Sequence, residues 1–133
     1  MRRARKPATN WRGHGLVLVV EDEDPVRRYA AGLLTELGFT VVGAADGSQA
    51  VDVFRQRQAE LALVLLDLTL PGAGGEAVLT EIEAENPKVP VVVCSGRDAR
   101  EVRRSFAGHN LAGVLPKPYG LEQMRAALRQ ATG

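Results

Sequence analysis

The stretch Leu61-Ala-Leu-Val-Leu-Leu-Asp67 constrains the fold of this 133-residue chain more than any other. Six apolar residues lead directly into one aspartate, and a loop rich in Pro and Gly follows over residues 68–75. Such a run is typical of a strand buried on both faces inside a parallel sheet. Ligands bind at the carboxyl ends of strands in open α/β sheets, where a carboxylate can be a nucleophile or a metal ligand. An ordinary polar residue that closes a strand is the alternative.

Strand and helix patterns alternate five times along the chain. A helix start is expected at Asp24-Pro25, with Asp24 as the N-cap, and another at Asp98, where the helix has little apolar face. This alternation predicts an α/β fold with a doubly wound, five-stranded parallel sheet and helices on both faces. The predicted strands are Leu16–Val20, Phe39–Val42, Leu61–Asp67, Pro90–Cys94 and Leu111–Leu115.

Composition and cysteine usage indicate one ordinary globular domain. The chain is 45% hydrophobic and 25% charged, and its one cysteine, Cys94, lies in an apolar run. We therefore expect a buried thiol and no internal disulfide. No apolar stretch reaches the length of a membrane span and no signal-peptide core follows the basic start, so a cytoplasmic location is expected.

The basic charge is concentrated at the amino terminus. Five of the 17 Lys and Arg residues and none of the 16 acidic residues lie in residues 1–14, so the remainder carries a formal charge of −4. We expect residues 1–14 to be a basic flexible leader or linker and residues 15–133 to form the domain. Contact with nucleic acid or acidic lipid is the alternative for the basic segment, although five charges alone do not indicate such a partner.

Polar side chains follow four of the five predicted strands. Because parallel strands end at the same edge of a sheet, these side chains should gather there. Clustered carboxylates raise one another's pKa unless a cation lies among them, and a hard ion such as Mg²⁺ takes oxygen ligands. A lysine suits a phosphate oxygen, a serine hydroxyl can donate to another, and the central aspartate could form an aspartyl phosphate. The residues concerned are Glu21, Asp22, Asp67, Ser95 and Lys117.

In order and spacing, four motifs make the chain resemble a response-regulator receiver domain, the CheY-like phosphoacceptor. They are Val19-Val-Glu-Asp22-Glu, Leu65-Leu-Asp67-Leu-Thr-Leu-Pro71-Gly, Val93-Cys-Ser95-Gly and Leu115-Pro-Lys117-Pro118. The resemblance covers about residues 15–131 and implies a flavodoxin-like (βα)5 domain with strand order 2-1-3-4-5.

The resemblance also implies a function in two-component signal transduction. Asp67 would accept a phosphoryl group from a phosphohistidine of a sensor histidine kinase or phosphotransfer protein, in a reaction that depends on Mg²⁺. Asp22, Asp67 and the backbone carbonyl of Thr69 would ligate the metal. Glu21, which stands where Asp is commoner, would act through water. Only self-catalysed phosphotransfer and slow autodephosphorylation are implied, so the domain would not be an enzyme.

A conformational switch is implied by the same resemblance. Ser95 would be the switch hydroxyl that turns towards the phosphoryl group, and Lys117 would pair with that group. The Lys117–Pro118 peptide is a candidate for the cis form. The family usually has Tyr or Phe where this chain has Val114. We therefore expect a weaker or differently routed switch across the face formed by the fourth helix, fifth strand and fifth helix.

The protein context of the domain stays open at this stage. Residues Trp11–Gly15 are similar to the junction before the C-terminal receiver of hybrid sensor kinases, so a stand-alone regulator and a receiver from a hybrid kinase are both possible origins. The last helix ends close to Gly133, and no direct DNA binding is expected. The downstream protein partner is unknown.

Three other functions can be compared with the residues at the strand ends. A haloacid-dehalogenase-like phosphohydrolase needs an acid two residues after the nucleophile, where this chain has Thr69. A flavodoxin-like cofactor carrier needs a phosphate-binding loop after the first strand, but residues 21–25 are acidic. A receiver-fold protein-interaction module that works without phosphorylation remains an alternative, because Val114 departs from the family pattern.

Overall fold

The computed structural model describes residues 11–71 and 74–132, which form five strands that alternate with five helices. In chain order the elements are β1 (Leu16–Val20), α1 (Asp24–Glu36), β2 (Thr40–Ala44), α2 (Gly47–Arg57), β3 (Leu61–Asp67), α3 (Gly74–Glu85), β4 (Val91–Ser95), α4 (Ala99–Ser105), β5 (Gly113–Pro116) and α5 (Leu121–Thr132).

All five strands are parallel and lie in the order β2-β1-β3-β4-β5. Val20, the last residue of β1, pairs with Leu66 of β3 on one side and Ala44 of β2 on the other. β2 lies on one side of β1 and β3 lies on the other, so the order in which strands are added reverses between β1 and β3. Doubly wound folds bind ligands at this point. The predicted doubly wound sheet and its strand order are confirmed.

Two apolar layers cover the sheet, one on each face. Phe54, Leu79 and Ile82 of α2 and α3 are fully buried on the first face, together with Val102 of α4. Residues of α1 and α5, including Leu34 and Met124, fill the second face. The central strand β3 is buried on both sides, as its continuous apolar sequence predicts.

Capping residues explain where two of the helices begin. The Asp46 carboxylate accepts a hydrogen bond from the Gln49 N–H at the start of α2, and Asp98 does the same for Arg100 at α4, as predicted for Asp98. The prediction for α1 is wrong by one residue. Glu23 holds the N-cap position without a side-chain cap, and Asp24 is already helical.

Residues 11–15 pack against the corner between α1 and β2. The rings of Trp11 and Phe39 are 6.1 Å apart, and the Gly13 N–H donates to the Leu37 carbonyl at 2.8 Å. Gly38 has a φ of +106°, and a Cβ there would lie 2.5 Å from the Gly13 carbonyl oxygen. The first ten residues of the expected leader lie outside the described part, and the domain boundary at residue 15 stays a prediction.

Within the described ranges, no helix has both the length and the apolar character needed to cross a membrane.

Candidate functional site

Three polar or charged residues are buried in the part of the chain that the structure describes, and all three lie at the carboxyl edge of the sheet. Asp67 and Ser95 end β3 and β4, and Glu21 directly follows β1. Burying a carboxylate is costly unless it is paired or bound to a cation. At 3% and 5% exposure for Asp67 and Glu21, this edge is therefore organised around the interactions of its carboxylates.

The carboxylates at this edge face one another and one lysine. Glu21, Asp22 and Asp67 each offer an oxygen, and the three atoms lie within 4.8 Å of one another, with Asp22 exposed. The Lys117 ammonium is 3.4 Å from Glu21 Oε1 and 3.3 Å from Asp67 Oδ2. One positive charge thus stands against three carboxylates, which the sequence predicted would meet here.

Opposing effects set the protonation of the two buried acids. Burial alone would raise the pKa of Asp67. The Thr69 backbone N–H at 3.0 Å and its hydroxyl at 2.8 Å both donate to Oδ1, and Lys117 adds its charge, so the pKa of Asp67 lies below its ordinary value. Burial and the Asp67 charge raise the pKa of Glu21, although its Oε2 accepts from the Glu23 N–H. Asp67 is therefore held in its anionic form.

Lys117 is held in its cationic form by the same group of charges. Burial would lower the pKa of the ammonium, but the facing Asp67 and Glu21 carboxylates outweigh it and raise that pKa above its ordinary value. The three carboxylates together still carry more negative charge than Lys117 neutralises, and the atoms that they offer to a cation are oxygens. These residues fit a hard divalent cation.

Ser95 and Lys117 are joined through the backbone. The Lys117 N–H donates to the Ser95 carbonyl at 2.8 Å, while the Ser95 hydroxyl accepts from the Arg97 N–H at 3.0 Å. The Lys117–Pro118 peptide is cis, which confirms the prediction. Beside them, burial raises the pKa of the Cys94 thiol to about 12, so this cysteine stays protonated as the expected small buried residue.

Sequence reasoning missed one residue next to the carboxylates. The Arg27 guanidinium donates from Nη1 to the Glu21 carbonyl oxygen at 2.8 Å and forms an ion pair with Asp24. The signal was present, since Asp24 and Arg27 are three residues apart on a helix, a spacing at which opposite charges meet. The sequence pattern predicts a capping role for Asp24 instead.

A family model described as the response regulator receiver domain matches residues 17–129. The chain belongs to this family. It is a receiver domain of two-component signal transduction, and it falls with receiver domains rather than with haloacid-dehalogenase-like phosphohydrolases.

Individual relatives agree with the family match. The sensor kinase CckA of Brucella abortus (strain 2308) is 31% identical over 123 residues, covering 92% of this chain and 13% of that kinase. The probable transcriptional regulatory protein TcrX of Mycobacterium tuberculosis is 34% identical over 115 residues, covering 85% of this chain and 47% of that protein. The receiver domain thus spans less than half the length of either curated relative.

A solved structure gives the same result in three dimensions. The crystal structure of the receiver domain from the hybrid histidine kinase CckA superimposes with a TM-score of 0.73 and is 30% identical. The match covers 90% of this chain and 100% of that one.

Val114 of this receiver domain packs as part of the core. It is half-buried in β5 against the apolar layer that contains Val102 and Phe106. Phe106 supplies an aromatic ring to that layer from the end of α4, and its ring lies 5.7 Å from that of His109. The effect of Val114 on switching stays a prediction.

An apolar groove borders the acidic edge of the receiver domain. It is lined by Val26 and Tyr29 of α1 and by the segment 117–119, and encloses about 490 Å³. The half-exposed Tyr29 donates its hydroxyl to the Tyr119 carbonyl at 2.8 Å, and the two rings are 5.9 Å apart. The groove places apolar surface beside Lys117.

Proposed function

We propose that Asp67 is the phosphoacceptor of this receiver domain and takes its phosphoryl group from a phosphohistidine of a sensor histidine kinase or phosphotransfer protein. The observation that carries the proposal is the burial of the Asp67 carboxylate together with its contacts to Thr69 and Lys117. It is buried at the end of the central strand and kept ionised, with Thr69 donating to one oxygen and Lys117 lying 3.3 Å from the other. Family membership supports the same role.

The transfer needs little covalent chemistry from the protein. A carboxylate oxygen of Asp67 attacks phosphorus, the new O–P bond forms as the N–P bond of the phosphohistidine breaks, and the electron pair leaves with the imidazole nitrogen, which takes up a proton. The Lys117 ammonium neutralises charge on the phosphoryl oxygens, and the Ser95 hydroxyl donates to one of them. Positioning and charge neutralisation supply most of the rate enhancement in phosphoryl transfer.

The carboxylate cluster would hold Mg²⁺. Asp22, Asp67 and the backbone carbonyl of Thr69 are the proposed protein ligands, and Glu21 acts through water. When bound, the ion neutralises negative charge on the phosphoryl oxygens. The excess of carboxylates over cations at this edge supports the assignment.

The conformational response to phosphorylation would begin at Ser95 and Lys117. Their contact with the phosphoryl group would reshape the face formed by α4, β5 and α5, in a weaker or differently routed way because Val114 replaces the usual aromatic residue. The receiver domain would act in the cytoplasm through a protein partner and would not bind DNA directly. The apolar groove beside Lys117 suits the approach of the phosphodonor protein.

Intact mass measurement tests the proposal. The protein is incubated with Mg²⁺ and acetyl phosphate, in parallel with Asp67→Asn and with the matched surface control Asp52→Asn. We expect the wild type and the control to gain one phosphoryl group and Asp67→Asn to gain none.

A second candidate function rests on Val114. If the wild type gains no phosphoryl group and does not bind Mg²⁺, the phosphoacceptor proposal is wrong. The domain then serves as a phosphorylation-independent interaction module.

A further inference from the structure

Arg27 spans the loop that carries the acid pair. Its side chain runs back from the first turns of α1, where Nη1 donates to the Glu21 carbonyl at 2.8 Å and Nη2 pairs with the Asp24 carboxylate. One guanidinium therefore contacts both ends of the four-residue segment between β1 and the body of α1. The planar, forked donor geometry of arginine suits such a two-point contact, and a lysine could make only one of the two contacts at a time.

A glycine in β2 makes room for this side chain. A Cβ added at Gly43 would lie 3.1 Å from Arg27 Cδ and 3.4 Å from Nε, so the arginine stem lies directly over the bare backbone of β2. The next residue of β2 also contributes, because the Ala44 carbonyl accepts the Glu21 N–H at 3.0 Å. The peptide groups on either side of the Glu21 Cα are thus fixed, one by β2 and one by Arg27.

Fixing both peptide groups restrains the direction in which the Glu21 side chain leaves the backbone, and the Glu23 N–H holds its Oε2 at 3.2 Å. Asp22 follows the carbonyl that Arg27 holds, so its backbone position is restrained as well. These acids supply two of the three carboxylates gathered at the sheet edge. Since like charges at this distance repel, an unanchored loop would let the carboxylates move apart.

We propose that Arg27 is a positioning residue for the carboxylate cluster, and that it prepares Glu21 and Asp22 to receive a divalent cation. This inference rests on the Mg²⁺ site of the proposed function and adds a residue outside its ligand set. Groups that orient metal ligands through hydrogen bonds typically change metal affinity by about 10- to 100-fold when they are removed.

The direction of the affinity change separates positioning from simple electrostatics. The Arg27 guanidinium is a positive charge close to a cation site, so through-space repulsion alone predicts that its removal tightens Mg²⁺ binding. Loss of an anchor predicts weaker binding. A role confined to fold stability predicts no change in the affinity of the folded protein.

The experiment measures Mg²⁺ affinity by isothermal titration calorimetry on the full chain, with folding checked by circular dichroism. The variants are Arg27→Met, Arg27→Lys and Gly43→Ala, and the matched control is Arg28→Met. Arg28 is exposed on the same helix and makes no ion pair or side-chain hydrogen bond with the residues described. We expect about tenfold weaker binding for Arg27→Met, a smaller loss for Arg27→Lys and Gly43→Ala, and less than about twofold change for the control.

Equal or tighter Mg²⁺ binding by Arg27→Met overturns the inference. If Arg27→Met does not fold, unchanged affinity in both Arg27→Lys and Gly43→Ala has the same effect. A wild type that binds no Mg²⁺ overturns the metal site of the proposed function and the inference with it, whereas wild-type binding with insensitive variants overturns the inference alone.

Discussion

His109 ties the loop between α4 and β5 to α3 through two carboxylates. Its Nδ1 lies 2.7 Å from Glu83 Oε1 and its Nε2 lies 3.2 Å from Glu76 Oε2. The Asn110 N–H donates to the second oxygen of Glu83 at 3.0 Å. A protonated imidazole can donate to both glutamates, whereas a neutral one donates to only one. Replacing His109 by glutamine keeps one uncharged amide donor group in place of the two ring nitrogens and removes the charge.

The size of the effect follows from the exposure of the two partners. A hydrogen bond to a charged group contributes about 1.5–3 kcal/mol when shielded from solvent. Glu83 is 25% exposed, so the charge on His109 should strengthen the hydrogen bond to Glu83 by about 1 kcal/mol. Glu76 is 61% exposed, so its hydrogen bond to His109 should contribute no more than about 0.5 kcal/mol. We therefore expect His109→Gln to lose about 1–1.5 kcal/mol of unfolding free energy while His109 is protonated.

The loss should depend on pH in one direction. The hydrogen bond to Glu83 raises the pKa of His109 above its ordinary value, burial opposes this, and Glu76 adds to the rise. A group whose folded-state pKa is raised contributes stability that is fully present below its unfolded pKa, near 6.5, and is lost as the pH rises through the folded-state pKa. The difference between wild type and variant should be largest at about pH 5.5 and close to zero at about pH 9.5.

Urea unfolding followed by far-ultraviolet circular dichroism at both pH values provides the measurement. The chain has two histidines, so His14→Gln is the matched control for the loss of an imidazole elsewhere in the chain. An equal difference between wild type and His109→Gln at the two pH values, or none at either, would refute the reasoning.

Three further predictions concern the acidic edge and the N-terminal corner. Lys117→Met leaves the buried Asp67 and Glu21 facing each other, and because Lys117 is 28% exposed we expect a loss of about 1–3 kcal/mol at pH 7 that shrinks as the pH falls, measured by urea unfolding. Gly38→Ala forces a side chain onto a φ of +106° and against the Gly13 carbonyl, so a loss of about 1–3 kcal/mol is expected in thermal unfolding; an unchanged midpoint contradicts this. Mg²⁺ at about 100 times its Kd should stabilise the wild type by about 2.7 kcal/mol, and excess EDTA should remove that gain.

The sequence predicted the fold because its strongest patterns are local. Continuous apolar runs identify buried strands, and the polar residue after each run marks the edge that the strands share. That shared edge brought Glu21 and Lys117 together in the prediction although they are 96 residues apart. The element bounds were less well predicted. The fifth strand begins at Gly113 rather than Leu111, because its pairing with β4 starts at Val92.

The contacts of single side chains were beyond local patterns. The pairing of His109 with Glu83 joins positions 26 residues apart, and neither residue type nor spacing marks it in the sequence. The cap expected at Asp24 was wrong because Glu23 holds the N-cap position and Asp24 already lies in the first turn of α1.

The packing of residues 11–15 places both described ends of the domain at one pole of the sheet. Trp11 and Gly13 line one surface groove together with Ala131 and Thr132, at the amino-terminal ends of the strands. The seven residues of β3 place Asp67 about 20 Å away, at the opposite pole. Residues 11 and 132, where the described part of the domain begins and ends, therefore lie at the pole opposite the carboxylates, and neither end contributes a residue to the acidic edge.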